Sequence, residues 1–428
     1  MKRILLGSCA ILLTGSVLAG CSGKEETKSG GDAAPKPNKE VTIKIMNFKV
    51  EIVEQFNKLK DEYEKTHPGV KLQIDTLFDD YPTGLKARFA ANDMPDIFNN
   101  GGYQELDTWV EHLEDLSDQP WVKDVLDVAK EPTAKGGKVY GMPVNLEGLG
   151  FLYNKDLFAK AGITELPKTL SQLEETAKKL QAVGIAPFIN NFDSWFGLGY
   201  HMFNNPMAKQ PNPNEFIQGL YNGTATFTGN AVFADWTKLF DLNIKYGNSN
   251  ALTTDYNNAT SQFATGKAAM IQSGNWIQPI INKLNPDLKV GILPMPINDD
   301  AALNDKIFVG VPNNWVVNKD SAVKEEAKQF LNWLVTSETG KRYLTKEFGF
   351  IPAFKSIKAK PADIGSIGED ITKYIEQGKV LGWHWAKLPE GAAPEFGASM
   401  QKYIAGKINR DQMLAEFQSS WDKVKAKK

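Results

Sequence analysis

The chain is poor in residues that do chemistry by themselves. It has two cysteines and four histidines in 428 residues, and the histidines are scattered, so a disulfide framework and a clustered thiolate or imidazole metal site both lack material. No Gly-x-Ser-x-Gly elbow and no phosphate-binding loop occurs, which removes the usual markers of nucleophilic and nucleotide chemistry. An excess of one charge is missing too. The 49 Lys and Arg stand interspersed against 51 Asp and Glu, whereas a nucleic-acid partner would want a basic face. The long apolar run, Ile4 to Leu18, is shorter than the ~20 residues a membrane-spanning helix needs.

That run follows Lys2 and Arg3 and ends in Leu18-Ala19-Gly20-Cys21, the layout of a secretory signal over residues 1–20. Leu-Ala-Gly-Cys resembles the bacterial lipobox. The resemblance implies that Cys21 carries a diacylglyceryl thioether, with palmitate-type chains that anchor the chain outside the cytoplasm at the cell membrane. Two acyl chains suffice where one is marginal. Cleavage before Cys21 discards Cys9 and leaves a capped sulfur, so folding must rest on a hydrophobic core. Residues 21–40, rich in Gly, Ser, Pro and charge, read as a disordered tether. The other reading, a buried helix holding both cysteines, conflicts with the Gly-Lys-Glu-Glu-Thr-Lys-Ser-Gly-Gly that follows.

Beyond the tether, about 390 residues are too many for one core and imply two domains. Val41–Met46 alternates as a strand, Val50–His67 has helical spacing closed by Pro68-Gly69, and Val70–Asp75 is the next strand. A helix at Tyr81–Asn92 and a strand at Asp96–Phe98 continue the alternation. This predicts parallel-rich α/β sheets covered by helices. Further strands are expected at Gly150–Asn154, Lys289–Leu293 and Phe308–Asn318, and helices at Leu170–Val183, Ala231–Tyr246, Trp276–Leu284, Ala322–Thr336 and Asp411–Lys425. Ten tryptophans are rigid, flat platforms suited to a ligand with an apolar face.

Several phrases, in order along the chain, carry a family resemblance: YEKTHPGVKLQI (63–74), ARFAANDMPDIF (87–98), GKVYGMPVNLEGLGFLYNKDLFAKAGI (137–163), FATGKAAMIQSGNW (263–276), VGILPMP (290–296) and SAVKEEAKQFLNWLVTSETGKRYL (321–344). Together they resemble the extracellular solute-binding proteins of the maltose-binding type (family 1), the sugar-capturing components of ABC importers. The resemblance implies a two-lobed periplasmic-binding-protein fold (type II) with the ligand in a cleft between lobes. Mapped here, one lobe would comprise 41–144 with 298–345 and the other 149–292 with 346–428, with crossings near 142–148 and 293–297. Pro143, Pro294 and Pro296 suit stiff crossings whose flanks absorb a rotation.

A pyranose offers C–H faces to aromatic planes and edge hydroxyls to carboxylates and amides. Trp276 matches a tryptophan that lies against a sugar ring in relatives, or else covers the helix it opens. Trp383 and Trp385 fall in a late segment where relatives supply an aromatic platform. One of the two is expected in the cleft and the other in the core. His384 reads as their polar neighbour rather than a metal ligand or base. Glu147 aligns with an acidic position that binds hydroxyls, or is a salt-bridge partner, and Asn145 shares its side. Asn47, Asp80 and Asn99 follow the first three strands at the sheet edge where open α/β folds bind ligands, although a helix cap and a turn would also explain the last two. Asp193 and Trp195 stand in a dense loop, 190–195. Trp315 replaces glycines common in relatives, and either limits cleft volume or is core.

The expected partners are a carbohydrate of two or more rings, separate ABC permease subunits and, through its lipid, the membrane. The chain is expected to act as a monomer, without cofactor, resident metal or catalytic residue. A surface-anchored glycoside hydrolase, also built from tryptophans and acids, and a two-lobed metal carrier are the alternatives.

Overall fold

The computed structural model describes residues 40–77 and 81–425. The expected signal segment, Cys21 and tether up to residue 39 lie outside the described residues, as does Asp80.

Two sheets organise the chain. Strand β1 (Val41–Asn47) buries Ile43, Ile45 and Met46. The helix Val53–Thr66 buries Phe56, Leu59 and Tyr63, one stripe at helical spacing. Gly69, at φ 91°, turns the chain after that helix in a conformation that only glycine adopts cheaply. β2 (Val70–Thr76) then lies parallel to β1, from Val41 opposite Val70 to Asn47 opposite Thr76, and β3 (Ile97–Asn100) pairs parallel on the other side of β1. A small hairpin, β4 (Ala134–Lys135) and β5 (Lys138–Val139), precedes β6 (Gly141–Pro143). All eight residues of β7 (Glu147–Asn154) are buried, as expected for a strand covered on both faces.

The remaining strands are β8 (Phe188–Ile189), β9 (Met270–Gly274), β10 (Val290–Leu293), β11 (Ile307–Gly310), β12 (Asn314–Val317) and β13 (Val380–Leu381). The first sheet runs β2-β1-β3-β12-β6, and the second runs β13-β11-β7-β9-β8 with β10 also on β7. Each sheet carries helices, giving a two-lobed α/β fold. The sheets are mixed: β1–β2, β1–β3, β8–β9 and β11–β13 are parallel, whereas β7 meets β9, β10 and β11 antiparallel.

The passages between sheets differ in part from expectation. The first falls between Pro143 and Glu147. The second does not fall at 293–297, because β10 and β11 both pair with β7. The chain regains the first sheet only through Val311–Asn313. The stretch 308–318 is therefore two strands in different sheets rather than one. Pro312 lacks the N–H a ladder needs and marks the break. Residues past 345 also stay with the first sheet's side: Ile351 bridges to Leu146 and Phe354 to Val125. The helix Pro361–Glu376 then packs on β7 and β10.

The second lobe's core is strongly aromatic. Trp236 stacks on Phe240 at 5.4 Å, Phe203 stacks on Phe396 at 4.3 Å, and Phe227, Phe233, Phe417 and Trp421 close around them. Among the described residues, no helix is long and apolar enough to cross a membrane.

Candidate functional site

A cavity of about 240 Å³ lies between the lobes, where the first sheet's strands end and the chain crosses over. One wall is charged. Lys49, two residues beyond β1, is buried and donates to Glu51 at 3.0 Å and to Glu147 at the start of β7. Glu147 Oε1 also accepts from Asn145 Nδ2 at 3.2 Å. Burial would strip the Lys49 proton, but the two carboxylates outweigh it and hold the pKa above that of an ordinary lysine. Burial pushes Glu147 upward, against the pull of Lys49. Glu105 accepts from the Gly101 N–H at 2.7 Å, and burial pushes its carboxyl up to about 7, so it changes charge around neutrality.

The opposite wall is aromatic and belongs to the second lobe. His201 lies 5.1 Å from the Trp276 ring and 5.5 Å from Trp385, while Trp383 and Trp385 are 4.2 Å apart. Tyr200 joins Trp385 at 6.1 Å and Trp195 at 5.1 Å. Burial lowers the His201 pKa to about 4, so the ring is neutral at ordinary pH and both donates and accepts. Tyr200 and His201 come from a π-helical turn, Gly197–Met202, an irregularity that recurs at functional sites. Trp383 lies over bare backbone at Gly310, where a Cβ would stand 2.6 Å from its ring. Gly274 likewise admits the Gly148 carbonyl, 2.1 Å from a would-be Cβ.

Five of the sequence candidates meet here: Glu147, Trp195, Trp276, Trp383 and Trp385 all line the cavity. The expectation that one of Trp383 and Trp385 would face away is corrected. Residues two apart on an extended chain share a face, and the pair stands past β13, which ends at Leu381, with a 3-10 turn beginning at Trp385, so nothing in the local backbone sends the two rings to opposite sides. Glu147 is both a salt-bridge partner and a wall residue. Trp315 is core, 4% exposed and 5.8 Å from Phe56. Asn47, Asn99 and Asn145 are buried just behind the wall: Asn47 donates to the Lys49 carbonyl, Asn99 accepts from the Phe48 N–H, and Asn145 holds Glu147. Asp193 is exposed and does not line the cavity; its carbonyl accepts from Gln401. His384 stands beside the two indoles, its backbone N–H donating to Asn204 Oδ1. Sequence reasoning missed Phe48, Lys49, Glu51, Glu105, Tyr200, His201 and Tyr256. The first three lie within four residues of Asn47 at the strand end and could have been flagged with it. Among the described residues, no group of three or more His, Cys, Asp or Glu side chains is placed to hold a metal ion.

Two α/β lobes that face each other across indoles on one side and carboxylates on the other define a protein that takes a solute between its lobes. The chain belongs to the family of bacterial extracellular solute-binding proteins, whose profile matches residues 49–341, and its place is outside the cytoplasm. It is 29% identical over 334 residues to the melibiose/raffinose/stachyose-binding protein MelE of Bacillus subtilis (strain 168), covering 76% of each chain. To the multiple sugar-binding protein of Streptococcus mutans it is 24% identical over 388 residues, covering 87% of this chain and 88% of that one. The solved structure of the solute-binding protein RafE in complex with raffinose shares the fold, with a TM-score of 0.77 at 21% identity over 90% of this chain and all of that one.

Proposed function

We propose that the chain captures a sugar of two or more rings by lobe closure and hands it to the permease of an ABC importer. One observation carries this reading: a continuous aromatic face, Trp276–His201–Trp385–Trp383, stands across one cavity from the Lys49, Glu51 and Glu147 cluster. Flat rings cover the C–H faces of a pyranose, and carboxylates take its hydroxyls in the stronger class of hydrogen bond. The names of MelE and of the S. mutans relative support a sugar ligand. Contacts from both lobes coexist only in the closed form, so binding shifts the open–closed balance by the difference in affinity.

The protein acts by binding rather than turnover, as a monomer. Cys21, at the end of Leu18-Ala19-Gly20, tethers it to the membrane through lipid. Fatty-acid labelling that survives Cys21→Ala would overturn that anchor, and product released from oligosaccharides would overturn the non-catalytic reading.

A thermal-shift series with raffinose and stachyose tests the ligand. A sugar at 100 times its Kd stabilises the folded state by ~2.7 kcal/mol, which appears as a raised Tm. Trp276→Ala abolishes that rise while the sugar-free protein still melts cooperatively. A variant that keeps the full rise shows that Trp276 is not in the site.

A further inference from the structure

A second pocket of about 360 Å³ opens between the lobes beside the tryptophan cleft. Its first-lobe wall includes Tyr103, Asp107 and Glu131, and its second-lobe wall includes Asn214, Gln218 and Tyr221. This repeats the chemistry of the cleft: ring planes for C–H faces, carboxylates and amides for hydroxyls.

The two spaces share their partition. In the helix Gln104–Trp109, Gln104 lines the side pocket while its neighbour Glu105 lines the cleft. In the turn Trp385–Lys387, Trp385 lines the cleft and Lys387 the side pocket. Residues one or two apart have Cα atoms within about 4–7 Å, so the two spaces are immediate neighbours. Lys387 spans the side pocket from lobe to lobe, reaching Asn214 at 3.0 Å, Glu131 at 3.4 Å and the Tyr103 ring at 4.7 Å. It is a long, flexible side chain that a ligand can displace. Volume decides the matter. The cleft's 240 Å³ falls below the range of about 300–1,000 Å³ typical for sites that enclose a whole ligand, so a chain of three or four rings must extend beyond it.

We propose that this side pocket is a second subsite, which takes the far rings of an oligosaccharide whose first rings lie against Trp276 and Trp385. The proposal rests on the reading of function above and extends it to ligand length.

Calorimetry on the full chain with melibiose, raffinose and stachyose, of two, three and four rings, separates the two claims. Gln218 is exposed on the helix Pro213–Asn222, so Gln218→Trp fills the pocket without disturbing the core. Unaltered protein binds stachyose at least about tenfold more tightly than melibiose. In Gln218→Trp that advantage disappears, while melibiose affinity stays within a factor of about two. If stachyose keeps its advantage in the variant, or melibiose and stachyose weaken equally, the subsite is overturned and the cleft reading stands. If none of the three sugars binds the unaltered protein, the sugar reading falls and the subsite with it.

Discussion

Two buried lysines show how a neighbour sets the meaning of a charge. Lys49 has two carboxylates and is held protonated. Lys209 has the Met295 carbonyl at 2.9 Å and Asn304 Oδ1 at 2.6 Å, and burial lowers its pKa to about 7, with Lys306 adding to the effect. The folded pKa lies below the unfolded value, so between pH 7 and pH 10.5 the unfolded chain binds the extra proton and stability rises with pH. The gain is at most about 1.4 kcal/mol per pH unit. Urea midpoints at pH 7 and pH 9 are expected to show this gain for the unaltered chain relative to Lys209→Met, and equal changes in both proteins would contradict it. Neither lysine was legible from the sequence, because a lysine just past the end of a strand or helix reads as solvated. Glu147 was legible through its aligned position. Trp315 was not assignable, since an indole suits a cleft and a core alike. Of the ten tryptophans, Trp195, Trp276, Trp383 and Trp385 line the cleft, whereas Trp109, Trp121, Trp236, Trp315 and Trp421 are buried in cores.

Elements with regular spacing could be read directly. β1, the helix Val53–Thr66 and β2 lie within a residue or a turn of the pattern, because alternation and the 3.6-residue stripe report which face is buried. The helix Leu170–Ala182 has its Thr169 cap and the positive φ of Gly184 just beyond it, both visible signals. The π-helical turn Gly197–Met202 has no such code, since its extra residue breaks the period. Gly199 seats it: a Cβ there would stand 2.0 Å from the Ala393 carbonyl, so backbone must move. Gly199→Ala is expected to displace Tyr200 and His201 from the aromatic wall, cost about 1–3 kcal/mol of stability and weaken sugar binding at least about tenfold by calorimetry. Unchanged affinity would show that the turn does not shape the site. The passage Val311–Asn313 did carry a signal in Pro312, which outweighs the apolar alternation on either side of it.

At the scale of the molecule, length alone called for two cores, and the ordered family phrases supplied their arrangement. The sequence could not report how the lobes meet, because contacts at the mouth join residues hundreds of positions apart. Lys86 pairs with Glu390 and Lys387 with Glu131, each bridging the lobes. Both pairs include exposed groups, and such pairs contribute only ~0–1 kcal/mol, too little to hold the lobes shut unaided. These mouth pairs alone do not close the cleft, although the buried Lys49–Glu147 pair also joins the two sheets beside the crossing, and without solute more open forms are expected to dominate. Small-angle X-ray scattering of the full chain with and without saturating stachyose tests this directly. The account predicts a smaller radius of gyration in the presence of the sugar, and an unchanged radius alongside a measurable heat of binding would contradict it.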